Sequence, residues 1–186
     1  MISCYSANKC KKVGESVGAT EVVPHFVHLG AHILHCFHPQ GSIHVFKGAS
    51  SISLDAKGRL SVPTRHRDVL MATAGGKLTL TKSPDGCLLL YPLPEWERFA
   101  ERVQQLGMEA QWWKRLFLGN AMDVELDGTG RVLVSPELRQ FAGITKDVVL
   151  LGMGTYFELW DKAQHDAKEA AAIQGPVPDS VKHLVL

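Results

Sequence analysis

The stretches LDAKGRLSVP, Leu54 to Pro63, and LDGTGRVLVSP, Leu126 to Pro136, state one turn twice, 72 residues apart. In Asp55-Ala56-Lys57-Gly58 an aspartate can accept backbone N–H bonds inside the turn, and a glycine can take positive φ. Asp127-Gly128-Thr129-Gly130 repeats that chemistry. The flanks repeat as well. SSISLD alternates before the first turn, RLSVP resumes after it, and Pro63 opens the basic segment TRHRDVL. A hairpin follows, KLTLTK and CLLLYP, joined by Ser83-Pro84-Asp85-Gly86, with proline and glycine where a type I turn accepts them. PLPEWERFAERVQQL then reads as a helix with Pro94 near its first turn and Trp96, Phe99, Val103 and Leu106 on one stripe.

The second half keeps the order. MDVELDGTGRVLVSP matches strand, turn and strand, and ELRQFAGI matches a short helix ended by Gly143. DVVLLG and YFELW form a second hairpin across Met153-Gly154-Thr155, and DKAQHDAKEAAAI closes the copy as a helix. The chain is therefore an internal duplication. Between the copies, EAQWWKRLFLGN carries Trp113, Leu116 and Phe117 on a helical stripe that reads as core, with Gly119 to end it. GPVPDSVKHLVL reads as a tail whose apolar end could dock on a neighbour.

Composition sets the class. With 186 residues, 45% of them hydrophobic and 21% charged, the chain suits a soluble globular protein with one or two small cores. No run of 18 apolar residues marks a transmembrane helix, and the lysines Lys9, Lys11 and Lys12 do not lead into an export signal. Cys4, Cys10, Cys36 and Cys87 show no CxxC pairing, which fits a reducing cytoplasm with Cys87 as a buried free thiol. The formal net charge is only +1, so any nucleic-acid role has to come from local clustering of basic side chains.

Residues 1–45 stand apart. They lack a sustained period and hold six of the nine histidines between His25 and His44. One reading of His25, His28, His32, His35, His38 and Cys36 is a metal-binding tract, but no second ligand pair with finger-like spacing supports it. The other reading is a non-functional segment, disordered or weakly structured, ahead of the true start. We expect no metal site and no cofactor.

Clustering is what the first copy shows. Lys57, Arg59, Arg65 and Arg67 fall within eleven residues with no acidic side chain between Lys57 and Arg67. Such a cluster supplies phosphate contacts, and a guanidinium at a groove can read guanine O6 and N7. Two plainer readings stay open: Arg59 and Arg131 pair with their own turn aspartates, and Arg65 and Arg67 belong to a solvated face. The second copy is weaker, with Arg131 and Arg139 but Thr129 in place of Lys57, so the halves should contribute unequally. An enzyme is disfavoured. His66 lies near Asp68, yet no nucleophile or oxyanion donor accompanies them, and Cys87 sits in an apolar run.

FKGASSISLDAKGRLSVPTRHR, CLLLYPLPEWE, LGNAMDVELDGTGRVLVSPELRQFAGITKDVVLLG and FELWD together resemble the MraZ family of bacterial transcriptional regulators, over essentially all of residues 46–186. Members begin with Met-Phe or a close variant, so Val45-Phe46 suggests initiation at a valine codon and residues 1–45 as a start-site artefact. The resemblance implies a β-rich α+β fold of tandem, pseudo-twofold, AbrB-like swapped-hairpin units with flanking helices. We divide the chain accordingly into a first unit at 46–94, a helical connector at 95–119, a second unit at 120–162 and a C-terminal helix and tail at 163–186.

The family's DxxxR motif lands on Asp55 and Arg59 and again on Asp127 and Arg131, with Gly58 and Gly130 as the turn glycines. DNA contact is carried to Lys57, Arg59 and Arg131, and phosphate contact to Arg65 and Arg67. The resemblance further implies double-stranded promoter DNA as partner, ring-shaped homo-oligomers, a nucleoid location, and repression of the chain's own division and cell-wall gene cluster through G-rich direct repeats. The alternative function is an AbrB-like protein-interaction module such as an antitoxin.

Overall fold

Leucine, valine or phenylalanine recurs at every second position in Leu78 and Leu80, Leu88 and Leu90, Val148 and Leu150, and Phe157 and Leu159, and all eight are buried. That period of two puts them on one face of a sheet. The computed structural model describes residues 46–185 and shows where the strands lie. The first copy contributes β1 (Phe46–Ser53), β2 (Arg59–Ser61), α1 (Thr64–Ala74), β3 (Lys77–Lys82), β4 (Leu88–Pro92) and α2 (Leu93–Gln104). A 3-10 turn at Met108–Ala110 and the helix α3 (Gln111–Phe117) connect the copies. The second contributes β5 (Met122–Glu125), β6 (Arg131–Leu133), α4 (Pro136–Phe141), β7 (Asp147–Gly154), β8 (Phe157–Asp161) and α5 (Lys162–Gln174), and α6 (Asp179–Val185) follows.

The copies interleave rather than sit side by side. The main sheet is antiparallel in the order β1-β7-β8-β4-β3-β5, beside a two-stranded ladder of β2 and β6. Only the hairpins β3–β4 and β7–β8 pair within a copy. β1 of the first copy runs along β7 of the second, from Phe46 opposite Gly154 to Ser53 opposite Asp147. β5 of the second copy runs along β3 of the first, Lys77 opposite Glu125 and Leu80 opposite Met122. β4 meets β8 at the centre, with Leu88 opposite Leu159 and Leu90 opposite Phe157. These exchanges are the same under a pseudo-twofold axis. The fold is thus β-rich α+β, a pair of AbrB-like swapped-hairpin units, as the duplication and the resemblance imply.

The axis also organises the core. The face bearing Leu78, Leu80, Leu88 and Leu90 packs with Leu60 and Val62, Val132 and Val134, Leu70 of α1 and Leu138 of α4, all of them buried. The opposite face carries Cys87, Leu89, Tyr91 and Trp160 beneath Trp96 and Phe99 of α2 and Phe117 of α3. Tyr91 stacks on Phe99 and Tyr156 at centroid distances of 5.1 and 4.9 Å. With both faces covered, β4 has no polar alternation, and LLLYP is buried throughout. Two threonines on the buried β3 still find partners: the Thr79 hydroxyl donates to Asp123 at 2.8 Å and that of Thr81 to the Phe117 carbonyl at 2.6 Å. Burial pushes the Cys87 thiol up to about 12, so it is an inert packing group.

Several local expectations shift. The second hairpin turns at Thr155-Tyr156, because β7 extends through Gly154 to pair with Phe46. Leu106 lies beyond the end of α2 and is 43% exposed, so it leaves the stripe that Trp96, Phe99 and Val103 keep. Trp113 is not core: it is 48% exposed and, with Trp112, Arg115, Leu116 and Asn120, lines an open cavity of about 300 Å³. Of that stripe, Phe117 reaches the aromatic cluster. The tail holds a helix, α6. The metal-tract and start-site readings of residues 1–45 lie outside the described residues. No helix among the described residues is long and apolar enough to cross a membrane.

Candidate nucleic-acid interface

Each DxxGR turn is closed by its aspartate. Asp55 Oδ1 accepts from the backbone N–H groups of Lys57 and Arg59, both at 2.9 Å, while Oδ2 accepts from Arg59 Nε at 2.6 Å. Asp127 Oδ1 accepts from the N–H groups of Thr129 and Arg131 at 2.9 Å and from the Thr129 hydroxyl at 2.7 Å. Its Oδ2 receives Arg131 Nε at 2.9 Å. The Arg59 backbone N–H above all holds the Asp55 carboxyl below its ordinary range. For Asp127 the Thr129 hydroxyl leads and the shift is larger. Both carboxylates stay ionised at any ordinary pH. Pairing with the turn aspartate is therefore real for both arginines. It does not use them up, because a guanidinium has five N–H donors and the Arg59 and Arg131 side chains remain 29% and 30% exposed.

The fold then brings the turns together. Through the β2–β6 ladder, Arg59 lies opposite Leu133 and Ser61 opposite Arg131. The Val62 N–H donates to the Gly130 carbonyl and the Val134 N–H to the Gly58 carbonyl, each at 3.0 Å. Arg131 Nη1 approaches Asp55 Oδ2 at 3.9 Å, an ion pair between the copies. Arg67 donates through Nε to the Val62 carbonyl at 2.7 Å, and Arg139 to the Val134 carbonyl at 3.2 Å. Those bonds lay Arg67 over Gly130 and Arg139 over Gly58. A Cβ on Gly58 would stand 2.9 Å from the Arg139 guanidinium carbon, and one on Gly130 would collide with Arg67. Both glycines also have positive φ, 77° and 75°.

Lys57, Arg59, Arg67, Arg131 and Arg139 thus surround the crossing, five cations against the carboxylates of Asp55 and Asp127. The Lys57 ammonium has no ion-pair or hydrogen-bond partner among the described residues. Arg65 stands apart from this group: its Nη2 donates to Ser50 Oγ at 2.6 Å on β1, and its Nε to His66 Nε2 at 3.1 Å. His66 is buried between Phe46 and Phe157, and desolvation, helped by the Arg65 charge, lowers its pKa. Reading along the sequence notes Arg139 in the weaker copy without placing it at the site. The signal that finds it is its 72-residue offset from Arg67, the same as that between the turns. Among the described residues no group of three His, Cys, Asp or Glu side chains could hold a metal ion.

A family model described as "MraZ protein, putative antitoxin-like" matches this chain twice, over residues 45–115 and 117–184, one match per copy. Proteins named transcriptional regulator MraZ are similar to this chain as well. The one from Acidovorax sp. (strain JS42) is 73% identical over 138 residues, 74% of this chain and 97% of that protein. That from Verminephrobacter eiseniae (strain EF01-2) is 71% identical over 138 residues, again 74% and 97%. That from Ralstonia nicotianae (strain ATCC BAA-1114 / GMI1000) is 60% identical over 139 residues, 75% of this chain and 98% of the relative. With the duplicated turn, the exchanged strands and these matches in agreement, the chain belongs to the MraZ family.

Proposed function

We propose that this protein is a sequence-specific DNA-binding transcriptional regulator, cytoplasmic and nucleoid-associated, that represses its own division and cell-wall gene cluster through G-rich direct repeats in the promoter. The observation that carries the reading is the basic crossing. A chain of net charge +1 concentrates Lys57, Arg59, Arg67, Arg131 and Arg139 where its two copies meet. In the reading, Lys57, Arg59 and Arg131 touch DNA directly, while Arg65 and Arg67, now joined by Arg139, hold phosphates. Held by their aspartates, Arg59 and Arg131 lose little side-chain entropy on binding.

The regulator acts as a ring-shaped homo-oligomer. Exposed Met108, Trp112 and Trp113 around the connector, and the apolar end of α6, supply surface that association would cover. One modest basic face per subunit then gains avidity when several subunits meet repeated sites. The units at 46–94 and 120–162 form the DNA-binding body, and the connector and C-terminal segments serve assembly.

Fluorescence anisotropy on the upstream DNA of its own gene, against a scrambled duplex and across salt, tests the reading. Tight binding to the native duplex, falling steeply with salt and lost in a folded Arg59→Ala variant, is the expected result. Unimpaired operator binding by Arg59→Ala would refute the role given to the turn. One observation favours a protein-interaction role such as an antitoxin: α5 and the segment after it leave Ile173, Val177 and Leu184 exposed. A specific toxin-like protein retained by the full chain and released by deletion after Gln174 would support that role.

A further inference from the structure

The pseudo-twofold axis sets Lys57 against Thr129, Arg59 against Arg131, Arg65 against Glu137 and Arg67 against Arg139. At the crossing the two copies match: Arg67 and Arg139 each donate to the carbonyl five residues before them and each cover the other copy's glycine. Away from it they do not. Lys57 offers an ammonium with no partner among the described residues, whereas the hydroxyl proton of Thr129 is committed to Asp127. Arg65 is braced on Ser50 of the edge strand β1, while its counterpart Glu137 is an exposed carboxylate in the first turn of α4. The outer part of the first copy attracts phosphate, and that of the second repels it.

A phosphate track alone sets no direction, since turning a reader about the dyad of a duplex leaves the charges in equivalent places. Direction arises when one copy is drawn close enough for its arginines to reach base edges and the other is held off. We propose that the first copy is the reading half and that the second half stands off, because Glu137 repels phosphate and Thr129 lacks the charge of Lys57, so each subunit takes a non-palindromic site in one direction. The inference rests on the DNA-binding reading above and assigns Glu137 and Thr129 as specificity-determining residues within it. The second copy keeps Arg131 on the DNA and Arg139 on a phosphate near the axis, where the two copies match.

Site-directed cleavage tests this on the full chain. Asp68 and Gln140 occupy equivalent exposed positions on α1 and α4, outside the proposed contacts. With Cys4, Cys10 and Cys36 changed to serine, Asp68→Cys and Gln140→Cys each carry an iron chelate that cuts nearby DNA on the native upstream duplex. The expected result is one cluster of cuts per tether at every site, the two always in the same order along the DNA. Adding Thr129→Lys and Glu137→Arg should bring in the reversed pattern and steepen the salt dependence of log Kd by about 1 to 2, one further phosphate contact being worth about 0.9. Coincident patterns from both tethers in the parent, with salt-sensitive binding intact, would overturn the one-way inference and leave the regulator reading standing. A single order that survives Thr129→Lys and Glu137→Arg would overturn the assignment to those two residues. Absence of specific binding by the parent would overturn the regulator reading itself, and this inference with it.

Discussion

Gly58 couples the backbone of the turn to the position of a guanidinium from the other copy. Its φ of 77° disfavours any side chain, and a Cβ there would press on Arg139 at 2.9 Å. Gly58→Ala should therefore cost about 1 to 2 kcal/mol in stability from the backbone alone and weaken DNA binding by pushing Arg139 aside. Gly128→Ala, where a Cβ meets nothing within 4 Å and φ is ordinary, should change neither. Thermal melts with anisotropy on the same samples check both, and equal behaviour of the two variants would break the coupling. His66 gives the second expectation at this scale. Its counterpart is Leu138, so the site accepts a hydrophobe. The folded chain keeps His66 neutral with a lowered pKa, while the unfolded chain takes up a proton near pH 6.5. Protons therefore favour unfolding: this contribution to stability is complete above about pH 6.5 and declines as pH falls toward the folded pKa. His66→Leu should fold, lose less stability than the parent between pH 7.5 and 5.5 in urea titrations, and leave Arg65 without its imidazole acceptor. Turn residues such as Asp55 and Gly58 were legible in the sequence because their bonds are local. The contact of Arg139 with Gly58 was not, because that glycine lies 81 residues earlier and only the exchange of strands brings them together.

Among the elements, α1 shows how the basic segment is tied to the core. Leu70 is fully buried against the sheet, and the next residue, Met71, is 54% exposed. Leu70→Ala should cost about 2 to 5 kcal/mol by leaving a cavity, whereas Met71→Ala should stay within about 0.5 kcal/mol. Denaturant midpoints at constant slope would show it, and a small effect of Leu70→Ala would mean that α1 is not anchored by that side chain. Hairpins β3–β4 and β7–β8 could be read from sequence, since alternating strands close in the chain pair at short range. The Ser83–Gly86 turn of the first falls where its residues predict, while that of the second falls at Thr155-Tyr156 because β7 runs on through Gly154. The partners of β1, β2 and β5 could not, because periodicity says that a segment is a strand and which face is apolar but says nothing of its neighbour. The swapped order had to come from the resemblance. Trp113 misled for a related reason: a helical stripe of large apolar residues looks the same whether it faces the core or open solvent, and here only Phe117 of that stripe reaches the aromatic cluster.

At the scale of the molecule, exchange makes neither copy able to complete itself. Residues 46–119 alone keep one hairpin, β3–β4, and lose the partners of β1, β2 and the outer edge of β3. Residues 120–186 keep β7–β8 and lose the partners of β5 and β6. A lone two-stranded hairpin is marginal in water, and each fragment would also expose half of the shared core. Neither fragment should fold as a monomer. An equimolar mixture should regain the sheet by far-UV circular dichroism, with a melting midpoint that rises with concentration, because association restores β1–β7, β3–β5, β2–β6 and β4–β8. The intact chain removes that concentration dependence within a subunit by making the exchange intramolecular, at the cost of pairing Phe46 with Gly154 across more than a hundred residues. Such long-range pairing slows folding, since loop closure precedes the contacts that reward it. A cooperative melt of either fragment alone, independent of concentration, would show that a single copy is a self-sufficient unit. The crossing of two turns that assembles Arg59, Arg67, Arg131 and Arg139 would then be a docking of finished domains rather than a property of one shared core.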